Sequence, residues 1–132
     1  MKTLLLSANT ESINMPVLPV GLADIAAATE HAGFETRVVN LMGQEDPGPA
    51  LKAAISEFSP DVIGISLRNI DDQDMESPRF LLAPVKHIIQ ACRQLNHVPI
   101  VLGGAGYSIF PKGALDYLGA DMGIRGEGEA AF

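Results

Sequence analysis

Short apolar runs rich in β-branched residues alternate along this 132-residue chain with stretches whose apolar residues recur every three or four positions, and no hairpin turn joins two runs. That alternation is the strongest constraint on the fold. Strands separated by helices pair in parallel, through right-handed crossovers. The runs centre on Leu4–Leu6, Thr36–Leu41, Asp61–Leu67, Pro99–Leu102 and Asp121–Ile124. Helices are expected from about Leu18 to Ala32, Pro49 to Phe58, Leu81 to Leu95 and Pro111 to Leu118, with Gly33 and Gly119 placed to end the first and last. The third is the clearest, since Leu81, Val85, Ile88, Cys92 and Leu95 follow spacings of four, three, four and three. The pattern predicts the α/β class: a doubly wound, flavodoxin-like (Rossmann-like) parallel sheet of five strands, ordered 2-1-3-4-5, with helices on both faces.

Composition narrows the function. A chain of this length that is 47% hydrophobic can bury a core as one domain without a staple. The formal charge of -7 argues against a nucleic-acid partner, which would be held by lysine and arginine. One cysteine excludes an intramolecular disulfide or a four-cysteine metal site and suits a reducing, cytoplasmic setting. The opening Met1-Lys2-Thr3-Leu4-Leu5-Leu6-Ser7 reads as a strand, and no run approaches the length of a membrane span, so no membrane partner is expected.

Doubly wound sheets bind ligands beyond the carboxyl ends of their strands, where the strand order reverses. That rule selects Ser7–Met15, Ser66–Asp74 and Gly103–Tyr107. The first two connections are overlong for strand-to-helix links, as binding loops are. Gly103, Gly104 and Gly106 suit either a tight turn or a surface on which a ligand lies directly against backbone. Gly64, inside its strand, implies that something packs close to it.

Other chemistry finds little support. His31 and His97 belong to the opposite rim and His87 to the middle of a helix, so no histidine centre is expected, and Cys92 sits on an apolar stripe as a buried small hydrophobe. Asp71, Asp72, Asp74 and Glu76 form an acidic cluster at the favoured rim, read first as a solvated loop, then as a partner surface, and last as a hard-cation site. A phosphoacceptor receiver would need an acidic pair after the first strand, where this chain has Ser7-Ala8-Asn9. Ser7–Asn14 contains no glycine and so forms no phosphate loop. The chain reads as a holder of something, with the chemistry in a cofactor or a neighbouring domain. The alternative is a non-enzymatic, flavodoxin-like interaction or regulatory domain whose acidic loop contacts a protein.

Four fragments carry a family resemblance: Pro19–Ala26, which fits P-x-G-L-x-x-I-A; Pro60–Ser66; Val101-Leu102-Gly103-Gly104; and Gly119-Ala120-Asp121 followed by Gly126-Glu127-Gly128-Glu129. In this order the chain resembles the cobalamin-binding domain at the amino end of cobalamin-dependent radical S-adenosylmethionine enzymes. The resemblance implies a corrinoid held between this domain and the next, its nucleotide tail passing into the switch-point cleft. Implied cofactor-binding residues are Asn9, Thr10, Ser66, Leu67, Arg68, Asn69, Gly103, Gly104, Ala105, Gly106, Tyr107, Gly126 and Glu127, with no catalytic residue and no metal ligand among them. Methionine synthase and the cobalamin mutases carry D-x-H-x-x-G after the first strand, whereas Asn9–Leu18 has no histidine. The expectation is therefore a cobalamin with its tail base detached and no histidine below the cobalt. The radical domain's C-x-x-x-C-x-x-C motif, its 4Fe-4S cluster and S-adenosylmethionine would belong to a domain after Phe132, and Gly126–Phe132 reads as the entry to a helix given barely one turn, either a frayed tail or, as expected here, the edge of a piece cut from a longer protein. On this reading, Gly104→Leu is expected to block cofactor binding and leave the fold intact.

Overall fold

The computed structural model describes residues 1–9, 18–71, 75–76 and 80–132; Thr10, Asp72 and Asp74, named above, lie outside them. The elements run β1 (Lys2–Ser7), α1 (Val20–His31), β2 (Glu35–Asn40), α2 (Gly48–Phe58), β3 (Val62–Ser66), α3 (Leu82–Leu95), β4 (Ile100–Gly103), α4 (Ala105–Ile109), α5 (Pro111–Leu118) and β5 (Met122–Gly123). All strand pairs are parallel and the sheet order is β2-β1-β3-β4-β5, as expected. One element was not anticipated. Helix α4 follows the β4 glycines directly, and five residues are too few to display a helical period.

The two faces of the sheet differ because strand side chains alternate. Leu4, Ile63 and Ile100 pair across β1, β3 and β4, as do Leu6, Ile65 and Leu102. These six are buried against Leu51, Ile55 and Phe58 of α2, Val85, Ile88, Ile89 and Cys92 of α3, and Ala114 and Leu118 of α5. The other face carries Leu5, Gly64 and Val101 in one row and Ser7, Ser66 and Gly103 in the next. Among the described residues a small cluster forms there, from Leu5, Leu22 and Ala26 with Ile25 and Phe132 packed on it. The first face is the main core, and the second has small side chains that leave room.

Several residues that carried the resemblance are structural. The Asp61 carboxylate accepts a hydrogen bond from the Lys2 backbone N–H at 2.7 Å, fixing the start of β1. Gly119 ends α5 in the left-handed conformation, at φ 70°. Asp121 accepts from the Ile100 backbone N–H at 2.7 Å and from Arg93 Nη2 at 2.9 Å, tying β5 to β4 and α3. The Ile100 N–H bond is the main cause that holds the Asp121 carboxyl below its ordinary pKa; burial opposes it, and Arg93 adds to the lowering. A depressed carboxylate stabilises the fold above its unfolded pKa, near 4, and that contribution fades as pH falls through the lower folded value. The side chain is 43% exposed, so solvent screens part of the gain. Asp121→Asn is expected to cost about 1 kcal/mol at pH 7, shrinking below pH 4, as read from urea unfolding at both pH values.

Candidate functional site

At the carboxyl ends of β1, β3 and β4 the small-residue face opens into a cleft of about 760 Å³. Leu5, Gly64 and Val101 form its deep floor, and Ser7, Ser66 and Gly103 the floor nearer the rim. One wall is the amino end of α1, with Pro19, Gly21, Leu22 and Ile25; Leu18 and Val20 stand exposed at the mouth. The facing wall is built from Gly104, Ala105 and Ser108, then Ile124 and Gly126–Glu129, and Phe132 closes the bottom. The lining is apolar below and hydroxyl-bearing at the rim. This suits a large ligand that needs close approach more than many hydrogen bonds.

The glycines divide by what a side chain would meet. A Cβ at Gly103 or Gly21 would have nothing within 4 Å, so both positions face the open cleft. Gly104 has φ 95° and ψ 172°, and a Cβ there would stand 2.5 Å from the Leu67 carbonyl oxygen. At Gly106 it would stand 3.0 Å from the Arg68 backbone. Those two glycines let the β4–α4 turn lie on the β3–α3 connection, an association sealed by Leu67 N–H to Gly103 O at 2.8 Å and Gly106 N–H to Leu67 O at 2.9 Å. The expectation that Gly104→Leu would leave the fold intact is therefore corrected. Gly104 is a backbone requirement, and Gly103 is the bare surface. Gly64 is closely packed, as its place in a strand implied: its Cβ would lie 2.7 Å from Leu5 Cδ2 and 2.9 Å from the Phe132 ring.

Of the residues singled out from sequence, Asn9, Ser66, Arg68, Gly103, Gly104, Ala105, Gly126 and Glu127 meet at this cleft. Leu67, Asn69, Gly106 and Tyr107 are not on its lining. Leu67 and Tyr107 are buried in the main core, and a Cβ at Gly123 would run into the Tyr107 ring. Asn69 lines an adjoining recess of about 20 Å³ with Ala8, Pro84 and Val85, which shares Asn9 and Arg68 with the cleft. Sequence reasoning missed the α1 wall as a lining element, although Pro19–Ala26 had been marked, and it missed Ser108 and Phe132. The bare glycine at position 21, one residue into a helix, was the available signal.

Charge at the cleft comes from Arg68 against Glu127 and Glu129. None of His31, His87 and His97 lines it, and no group of three or more histidine, cysteine or acidic side chains among the described residues is arranged to hold a metal. The Cys92 thiol lies in the main core, where burial pushes its pKa up to about 11, with Arg93 opposing weakly, so the thiolate is scarce at neutral pH. No helix among the described residues is long and apolar enough to cross a membrane.

The cleft at the switch point is deep and apolar, with serine and glycine along its floor, and has room for a large ligand lying against backbone. The B12-binding domain family matches residues 6–132, and the chain belongs to that family. It is 31% identical over 122 residues to tryptophan 2-C-methyltransferase of Streptomyces laurentii, covering 92% of this chain and 20% of that protein. It is 27% identical over 132 residues to cytidylyl-2-hydroxyethylphosphonate methyltransferase of Streptomyces wedmorensis, covering 86% and 23%. The structure of the radical S-adenosylmethionine methyltransferase TsrM from Kitasatospora setae, with cobalamin and a [4Fe-4S] cluster bound, superposes with a TM-score of 0.91 at 31% identity over 98% of this chain and 23% of that one. At 15% identity and a TM-score of 0.67, the cobalamin-dependent radical enzyme OxsB shares the fold. The chain thus spans about a fifth to a quarter of the length of the two Streptomyces methyltransferases and of TsrM.

Proposed function

We propose that this domain binds cobalamin with the nucleotide tail in the cleft and the tail base off the cobalt, as the amino-terminal module of a radical S-adenosylmethionine enzyme, a methyltransferase or a radical rearrangement enzyme. The cleft carries the reading. Its bare Gly103 floor and apolar depth fit a bulky, mostly apolar tail, and the bare Gly21 opposite gives a planar group room between two backbones. A base held among those apolar residues would stand away from the cobalt, and no histidine lines the cleft to take its place. Rim hydroxyls of Ser7 and Ser66 would face the ribose and phosphate of the tail, and Arg68 at the mouth supplies a cation for the phosphate.

When bound, cobalamin would supply a cobalt centre able to accept and hand on a methyl group. This chain's own residues hold and orient it and keep water from the buried tail. The cluster, S-adenosylmethionine and the substrate would be served by a radical domain following in the same chain, which the methyltransferase relatives' greater length supports. Titration of the purified chain with hydroxocobalamin tests the reading. A base-off absorption spectrum with cofactor retained after desalting is the expected result. An unchanged spectrum together with full loss on desalting would overturn it.

A further inference from the structure

Two segments of the wall that faces α1, distant in sequence, the β4–α4 glycine turn and the Gly126–Glu129 turn, are joined through one hydroxyl. Ser108 Oγ donates to the Gly104 carbonyl at 3.0 Å and accepts from the Gly126 N–H at 2.9 Å. Its own N–H also donates to Gly104 O, at 3.1 Å, so the side chain is locked to the turn that carries it. A serine hydroxyl has one proton to give, and here both its donor and its acceptor roles are used between the two turns.

Past Gly126 the segment closes on itself. Ala131 and Phe132 both donate to the Gly128 carbonyl, at 3.1 and 2.8 Å. Its further ties to the body are packing contacts, with Phe132 over Gly64 and Gly128 against Ile25. Packing of this kind resists separation but tolerates sliding, whereas a directional bond fixes position. Upstream, Ile124 N–H donates to Leu102 O at 2.8 Å and anchors the segment to β4, so the clasp at Gly126 is the last directional bond that sets where the following turn stands relative to α1.

We propose that Ser108 is a positioning residue for cofactor binding, setting the width of the cleft by clasping Gly126 to Gly104; the inference rests on the cobalamin reading above. It acts on the tail alone, because the corrin ring would sit outside the cleft, beyond the strand ends. Loss of the clasp should therefore weaken a complete cobalamin and spare a corrinoid without a tail.

The test compares hydroxocobalamin with dicyanocobinamide, which lacks the nucleotide tail, on the unaltered chain, Ser108→Ala and Ser108→Thr. In Ser108→Ala the affinity ratio of hydroxocobalamin to dicyanocobinamide is expected to fall about tenfold, the effect of roughly one net hydrogen bond. In Ser108→Thr, which keeps the hydroxyl, it should return to within about threefold, with the melting midpoint of Ser108→Ala lowered by no more than about 5 °C, as one lost hydrogen bond predicts. An unchanged ratio in Ser108→Ala, an equal loss of both ligands, or a folded Ser108→Thr that fails to recover the ratio would overturn the proposal. Failure of the unaltered chain to retain hydroxocobalamin would instead overturn the cobalamin reading, and the inference with it.

Discussion

Gly103→Leu is expected to weaken hydroxocobalamin binding by roughly tenfold or more while the melting midpoint stays within a few degrees of the unaltered chain. Gly103 ends β4 in register with Ser66 and, through it, with Ser7 on the cleft face. A Cβ there meets nothing within 4 Å, and the residue is not among the glycines at positive φ, so a leucine can be accommodated by the backbone and the fold. The branched side chain would project into the cleft, over the floor on which the tail is proposed to lie. Steric exclusion of even one ring edge costs on the order of 1–3 kcal/mol, which is where the tenfold figure comes from. Equilibrium dialysis with hydroxocobalamin and a thermal melt of the apo chain measure the two halves. Unaltered affinity would remove Gly103 from the tail site, and a collapsed melt would mean that the position is structural after all.

Strand order and the rim that carries the site were legible in the sequence because both follow from alternation. Ile63, Ile65, Ile100 and Leu102 are large and buried on one face, and the switch-point rule then needs only the order of the strands. What could not be read was which side each rim residue faces. Leu67 and Ser66 are neighbours with opposite destinies, one in the main core and one on the cleft floor, and the choice is made by strand register. Gly64 announced a close contact but not its partner, since Phe132 lies far along the chain and reaches the strand only once the last turn folds back. Asp61 and Asp121 illustrate the converse. They lie in fragments that carry the family resemblance, yet each accepts a backbone N–H at a strand start and holds the sheet that presents the cleft.

Those neighbouring glycines therefore predict opposite phenotypes, and Gly104→Ala supplies the second. At φ 95° and ψ 172° Gly104 occupies a region that is essentially closed to residues with a side chain, at a cost of about 1–3 kcal/mol. Its Cβ would also stand 2.5 Å from the Leu67 carbonyl oxygen and 3.0 Å from the Leu67 nitrogen, which are backbone and cannot swing aside. Relief requires the β4–α4 turn to lift from the β3–α3 connection, straining the bonds from Leu67 N–H to Gly103 O and from Gly106 N–H to Leu67 O. The combined loss is expected to be about 3 kcal/mol, lowering the apo melting midpoint by roughly 10 °C. Such a loss is a large share of the stability of a domain this size. Because binding draws only on the folded form, hydroxocobalamin should recover part of the lost midpoint in Gly104→Ala, whereas at the same concentration it should raise the midpoint of Gly103→Leu less than that of the unaltered chain. A Gly104→Ala chain that melts like the unaltered one would show that the turn has a second, relaxed conformation, and would leave steric room on the Gly103 side as the sole requirement at this rim.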